Sequence, residues 1–427
     1  MMSKSIYIID GSRTPFLKSR NKPGVFSASD MATAAGRSLL MRQQFEPTQL
    51  DEVVLGCAAP ASDEVNIARV AALRIGCGHH VPAWTVMRNC ASGMQAIDAA
   101  IGNMLAERSH LILAGGVDAL SRAPLLFSEA MTLWFSNFYS AKTMGQKLGL
   151  LTKFRPGMLA PVISLMKGLT DPNVGLIMGQ TAENLAYRFG ITRRQQDEYA
   201  ALSHKRVLAA QAAGHFDEIV PLYDERGNVY TKDDGARDDS TPENLAKLKP
   251  FFDKKYGSVT AGNSSQITDG AVWLVLADDK GVDKHGLKPI GRILDSHWAA
   301  LDPREMGLGP VYAATPLLKK HGLGLNDVDA WEINEAFAAQ ILGCIEAWKD
   351  DAFCQKELGL PAALGELDMN KLNVDGGAIS LGHPVGASGA RIVLHLLHVL
   401  RRTGGKRGIA SICIGGGQGG AMLVEAL

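Results

Sequence analysis

Two stretches far apart in the chain share one local grammar, and that repetition constrains the fold more than any other feature. In 83–116 the strand-like AWTVMR is followed by Asn89-Cys90-Ala91-Ser92-Gly93, then by Met94, Ile97, Ile101 and Leu105 at helical spacing, then by the apolar LILAGG. In 372–420 the loop GGAISLGHPVGASGA leads into the helical RIVLHLLHVLRR and then into GIASICIGGG. Short apolar runs bounded by glycine read as buried strands, and the 3.6-residue period marks the helix between them. Strand, helix and strand used twice predict an α/β chain with a duplicated core. The same alternation of glycine-bounded apolar runs and helix-period segments fills most of the remaining sequence.

A length of 427 residues predicts two or three domains. Lys plus Arg and Asp plus Glu both number 44, so no net field draws the chain to nucleic acid, and a nucleic-acid partner is not expected. With 46% hydrophobic and 21% charged residues the chain can bury a large core, which excludes disorder. The six cysteines form no C-x-x-C pair and no Cys/His cluster at zinc spacing, so neither a disulfide framework nor a metal site is expected. A strand-like run begins at Ile6, which leaves no room for a secretory leader and points to a bacterial cytoplasm or an organelle matrix.

Two segments break the alternation. From Ala130 to Thr170 there are five basic residues (Lys142, Lys147, Lys153, Arg155 and Lys167) and no acidic ones, interleaved with Trp134, Phe135, Phe138, Tyr139 and Phe154. No run of 18 apolar residues occurs, so this is no spanning helix; it reads equally as a loop domain packed on the core or as a surface for a membrane or partner. The charged 224–239, with Gly227 and Gly235, reads as a solvated loop.

Four positions carry candidate chemistry. Cys90 falls where a strand ends and a helix begins, where backbone amides and the helix dipole lower a thiol pKa; the alternative is an inert buried cysteine. His383, in Gly382-His383-Pro384-Val385-Gly386, is a candidate base for that thiol or a structural histidine. Cys413 precedes Gly415-Gly416-Gly417, whose N–H groups are candidates for an oxyanion site. Asn334, after the apolar Trp331 to Ile333, orients a water or carbonyl, or caps a helix. The glycine run lacks the G-x-G-x-x-G spacing of a dinucleotide site.

Together Asn89-Cys90-Ala91-Ser92-Gly93, Asn334-Glu335-Ala336-Phe337, Gly382 to Gly389 and Cys413-Ile414-Gly415-Gly416-Gly417 resemble the four signature blocks of the thiolases, in the family's order. The opening Gly11 to Phe16, the segment Met178 to Asn184 and Thr260 to Ser265 are also similar to family sequence. The resemblance implies a thiolase fold, a duplicated five-layer α/β/α/β/α arrangement with an inserted loop domain. It implies halves at 1–124, completed by about 258–282, and at 283–427, with the loop domain at 125–257. It implies that Cys90 is the acyl-accepting nucleophile, His383 its base and Cys413 the α-carbon acid and base. Asn334, through a water, and His383 would hold the thioester oxygen, and the amides of Cys90 and Gly415 would form the second oxyanion hole. Ser265, Met178 and Arg237 match coenzyme A contacts, and Met306 and Phe337 line the acyl pocket. Coenzyme A would be a substrate, with no bound cofactor, and the protein a homo-oligomer, dimer or tetramer.

One departure bears on the substrate. Short-chain biosynthetic thiolases commonly carry histidine before Met178-Gly179, and this chain has Ile177. With the long basic, apolar 130–170 segment, this resembles the thiolase subunits of fatty-acid oxidation complexes and favours a 3-ketoacyl-CoA thiolase. The rivals are an acetyl-CoA acetyltransferase confined to acetoacetyl-CoA and a non-catalytic acyl-CoA-binding scaffold. The 130–170 segment is then expected to meet a hydratase/dehydrogenase partner or a membrane surface.

Overall fold

Strand Thr268–Asp278 is buried along all eleven residues, as a strand covered by helices on both faces must be. It pairs antiparallel with Ile6–Arg13 on one side and Leu111–Ala119 on the other. Leu111–Ala119 then pairs parallel with Glu52–Gly56, and that strand with Ala83–Val86. The second half repeats the order: Gly291–Ala300 and Gln418–Ala426 pair antiparallel, Gln418–Ala426 and Arg407–Ile414 antiparallel, Arg407–Ile414 and Ala330–Ile333 parallel. Where the first half has a fifth strand, the second has the parallel bridge between Trp331 and Leu372. Ile6–Ile8 against Gly291–Ile293 joins the halves into one ten-stranded sheet, the two-residue strand Leu17–Lys18 being the tenth. The computed structural model describes residues 4–427.

Alternate residues of these strands face different cores. Val54, Ile112, Ala114, Val272 and Leu274 from the first half, and Ile412, Met422 and Val424 from the second, meet the inner helices Ser92–Leu105 and Val385–Thr403. Val53, Leu55, Leu113 and Trp273 face helices Ala28–Leu40 and Ile67–Ile75. Ile409, Ala421 and Leu423 face helices Gly309–His321 and Ala338–Lys349. This is the duplicated five-layer arrangement expected from the resemblance. Each fully buried aliphatic side chain contributes about 1.5–3 kcal/mol, so three such cores bind the layers firmly.

Glycines bring the inner helices' first turns into backbone contact. A Cβ on Gly93 would lie 2.8 Å from the Gly386 carbonyl oxygen, and one on Gly116 2.0 Å from the same oxygen. No larger residue fits there without moving backbone.

The charged 224–239 is mostly exposed, as its composition predicts, but a short hairpin and buried Asp233 and Gly235 tie it to the core. Leu222–Tyr223 and Val229–Tyr230 pair as a hairpin. Asp233 is buried and takes both terminal nitrogens of buried Arg13, at 2.7 and 2.9 Å. At Asp233 local charge misleads because the compensating guanidinium lies 220 residues away in sequence.

The chain forms two compact units, one built from the residues up to Arg122 together with Asp171–Leu427, the other from Ala123–Thr170. The smaller unit holds helices Glu129–Ser140 and Met144–Leu151 and the paired dipeptides Leu125–Leu126 and Val162–Ile163. Trp134 stacks on Phe138 at 5.1 Å and donates to the Leu150 carbonyl at 2.9 Å. Met131 is this unit's one buried residue, while Phe127, Leu133, Tyr139, Met144 and Leu159 are exposed. Among the described residues no helix is long and apolar enough to cross a membrane.

Candidate active site

Cys90 lies in the turn between strand Ala83–Val86 and helix Ser92–Leu105. Asn89 adopts a left-handed φ of +44°, which asparagine tolerates better than most residues, and its side-chain amide donates to the Gly415 carbonyl at 2.8 Å. Ser92 Oγ accepts from the Arg88 amide at 2.9 Å and donates to the Asn89 carbonyl at 2.7 Å, closing the turn. The backbone amides of Gly415 and of Cys90 itself favour the Cys90 thiolate. Burial outweighs them and the Asp118 carboxylate opposes them too, so the thiol is raised, not lowered as its place at a helix start predicts.

His383 sits between the short helix Ala378–Leu381 and the inner helix Val385–Thr403, its amide donating to the Gln266 carbonyl at 2.9 Å. The Ser388 hydroxyl donates to the Pro384 carbonyl at 3.1 Å. It therefore accepts from Nδ1–H, 2.6 Å away, which leaves the lone pair on Nε2. Burial, and then Arg391, push this imidazole down to about 4, so it is neutral at physiological pH and able to accept a proton.

Asn334 is the first residue beyond strand Ala330–Ile333, its amide donating to the Ser411 carbonyl at 2.9 Å. It is fully buried, and among the described residues Asn334 Oδ1, Asn334 Nδ2 and His383 Nε2 have no hydrogen-bond partner. Each such group costs about 1–3 kcal/mol, and such groups gather where a bound molecule completes the set.

Cys413 is the penultimate residue of strand Arg407–Ile414 and is buried. Burial, and then the nearby Cys90 and Cys344 thiols, hold it well above the ordinary thiol value, so it carries its proton at rest. It shares an apolar cluster with Met306 and Phe337, with Met178 at the edge. A Cβ on Gly415 would lie 3.2 Å from Met178 Sδ, so the same cluster adjoins the residue whose amide favours the Cys90 thiolate. Ser265 is half-buried and its amide donates to the Ala336 carbonyl at 2.9 Å, next to Phe337. Arg237 stands apart from this cluster. It is exposed, its amide donates to His204 Nδ1 at 3.2 Å, and with burial and Lys18 it holds His204 down at about 4.

Of three supporting residues, Glu335 is marked in the sequence only as part of the Asn334-Glu335-Ala336-Phe337 block, and Asn373 and Asp118 carry no signal there. Glu335 accepts from Tyr199 at 3.0 Å, Ser203 at 2.7 Å, Asn373 at 3.0 Å and the Ile379 amide at 3.2 Å, fixing the backbone beside Asn334. Asn373 holds a left-handed φ of +45°. Asp118 binds backbone of both halves. A surface cavity of about 960 Å³, lined by Phe26, Arg37, Arg74, Arg226 and Tyr230 among others, contains none of these groups.

The family models described as "Thiolase, N-terminal domain" and "Thiolase, C-terminal domain" match residues 6–280 and 287–426. The mitochondrial trifunctional enzyme subunit beta of Mus musculus is 39% identical, over 99% of this chain and 88% of its own length. The 3-ketoacyl-CoA thiolase of Serratia proteamaculans is 37% identical, over 98% and 96%. Human mitochondrial 3-ketoacyl-CoA thiolase, solved in complex with CoA, superposes with a TM-score of 0.85 at 36% identity, over 100% of this chain and 99% of that one. The chain belongs to the thiolase family.

Proposed function

We propose that this thiolase cleaves 3-ketoacyl-CoA with coenzyme A, giving acetyl-CoA and a shortened acyl-CoA. The observation that carries the reading is the set of unpartnered buried atoms, Asn334 Oδ1 and Nδ2 and His383 Nε2, together with the Cys413 thiol, which burial and then the nearby Cys90 thiol hold raised. His383 Nε2 takes the Cys90 proton, and the thiolate attacks the 3-keto carbon. The oxygen that becomes negative lies in the hole formed by the Cys90 and Gly415 amides. Breaking the bond between carbons 2 and 3 leaves the acyl group on Cys90 and releases the acetyl-CoA enolate. Asn334, through a water, and His383 hold the enolate oxygen, and Cys413 protonates its carbon. The thiol of a second coenzyme A, giving its proton to Cys413, then attacks the acyl carbon and takes the acyl group, and the departing Cys90 thiolate recovers its proton from His383. Met306 and Phe337 border the acyl chain, Met178 and Ser265 the pantetheine, and Arg237 the nucleotide end.

The relatives named for 3-ketoacyl-CoA cleavage and Ile177 in place of a histidine favour acyl chains longer than acetoacetyl. The three-part division into 1–124 with 258–282, 125–257 and 283–427 is our reading of the repeated sheet order. The bacterial and mitochondrial relatives support a cytoplasm or organelle matrix, and the family supports a homo-oligomer. The unit Ala123–Thr170 carries five basic residues against Glu129 and exposes Phe127, Leu133 and Leu159, a combination that suits an anionic lipid surface.

Thiolysis of graded 3-ketoacyl-CoA substrates by the purified protein and its Cys90→Ala variant tests the reaction. Cys90-dependent acetyl-CoA release at long chain lengths supports it. Turnover confined to acetoacetyl-CoA makes the protein an acetyltransferase, and none at any length leaves a binding scaffold. Charge reversal of Lys147, Lys153 and Lys167 is expected to abolish flotation with phosphatidylglycerol vesicles. Unchanged flotation, or capture of a hydratase/dehydrogenase subunit in place of vesicles, overturns the lipid assignment.

A further inference from the structure

We propose that Asp118 is a positioning residue, whose carboxylate fixes the first turn of the His383 helix against the backbone around Cys90. The proposal rests on the assigned roles of Cys90 and His383. Asp118 lies near the end of strand Leu111–Ala119 and is fully buried. Its Oδ2 accepts from the Gly386 amide at 2.5 Å, three residues beyond His383. Its Oδ1 accepts from the Ala59 amide at 2.9 Å and the Cys57 thiol at 3.1 Å, and both oxygens face the Ala58 amide at 3.2 and 3.4 Å.

Every one of these donors is neutral. A buried carboxylate without a cationic partner is costly, and burial pushes the Asp118 pKa up to about 6. What the carboxylate supplies is an anchor for an amide that the helix itself leaves unpaired, at the end where the dipole favours an anion. That anchor also bears on the nucleophile. The Gly386 carbonyl is wedged against Gly93, in the first turn of the Cys90 helix, and against Gly116 on the strand that carries Asp118. A shift of Gly386 therefore moves the base relative to the nucleophile. The titratable groups around the carboxylate are Cys57, in contact, Cys90, which feels its charge, and Glu64, which acts on Cys57.

Asp118→Asn keeps the shape but sets an amide N–H against the Gly386 N–H. The full-length variant is compared with the parent by steady-state thiolysis, thermal unfolding and the pH profile of Cys90 alkylation by iodoacetamide. The expected result is a roughly tenfold to hundredfold fall in kcat with KM within about twofold. The alkylation midpoint is expected to shift by about half a pH unit or more. A folded variant with parental kcat and parental alkylation profile overturns the proposal. Asp118→Glu keeps the charge but pushes Gly386 away by a methylene. It is expected to show the same split between kcat and KM, and a parental kcat there also overturns it. Loss of fold in both variants assigns Asp118 to stability alone and overturns it too. Alkylation needs no turnover, so an error in the assigned reaction shows separately, as an inactive parent whose alkylation still responds to Asp118.

Discussion

The two halves share a sheet order but treat their polar groups in opposite ways. At the strand ends of the first half, Cys57 and Asp118 are buried and bonded to one another and to nearby backbone amides. At those of the second, Asn334 is equally buried and its side chain meets no partner. A duplicated scaffold yields two sets of strand ends, and at these positions the first bonds its buried side chains internally while the second leaves that of Asn334 without a partner.

Mutations sharpen that contrast. Cys90→Ala is expected to lower thiolysis roughly a thousandfold or more, as loss of a nucleophile does, with thermal unfolding unchanged. Retained turnover would place the chemistry elsewhere. Arg13, bonded to Glu218 and Asp233 with all three buried, belongs to the satisfied class. Arg13→Met is expected to cost about 3–5 kcal/mol in urea unfolding, because Asp233 is left buried without its cation while Glu218 keeps His395 alone. Asn334→Ala should do the reverse, lowering kcat roughly a hundredfold while stability stays level or rises, since its polar atoms make no native bonds. A large loss of stability there would erase the distinction between the halves.

A gentler test is pH. His395 is buried between Glu218 and Asp375, and although burial opposes it, the carboxylates raise the imidazole from 6.5 to about 9. A group raised on folding contributes fully below its unfolded value and loses that contribution as pH climbs through its folded one. Glu218 and Asp375 are held below the ordinary carboxylate range, mainly by His395 with Arg13 and Arg402, so their contribution is lost only in acid. The melting temperature should hold below about pH 6.5 and then fall steadily until about pH 9, and His395→Gln should remove that fall. The smallest effect is expected at exposed Arg237, where replacement by Ala raises KM for coenzyme A about threefold and leaves kcat alone.

The residues proposed to react are legible because each sits at a junction that sequence can mark. Cys90 and His383 each stand two residues before a helix, and Cys413 and Asn334 stand at strand ends followed by small residues or glycines. The contacts of their supports are not. Glu335 is held by Tyr199 and Ser203, each more than a hundred residues distant, and Asp118 by Gly386, 268 residues on. The same distance hid Asp233, whose charge read as solvated until Arg13 was placed beside it. The direction of the Cys90 shift was misread because local sequence reveals the helix start but not the depth of burial that overrides it.

The order in which the first half is assembled bears on how this protein is made. Ile6–Arg13 and Leu111–Ala119 both need Thr268–Asp278 as their neighbour. On the ribosome, then, the first half cannot close its sheet until the chain has grown past Asp278. Until then both strands present open, apolar edges, the state in which nascent chains aggregate or recruit chaperones. Long-range pairing of this kind also slows refolding from denaturant, where the same strands must find one another across most of the chain.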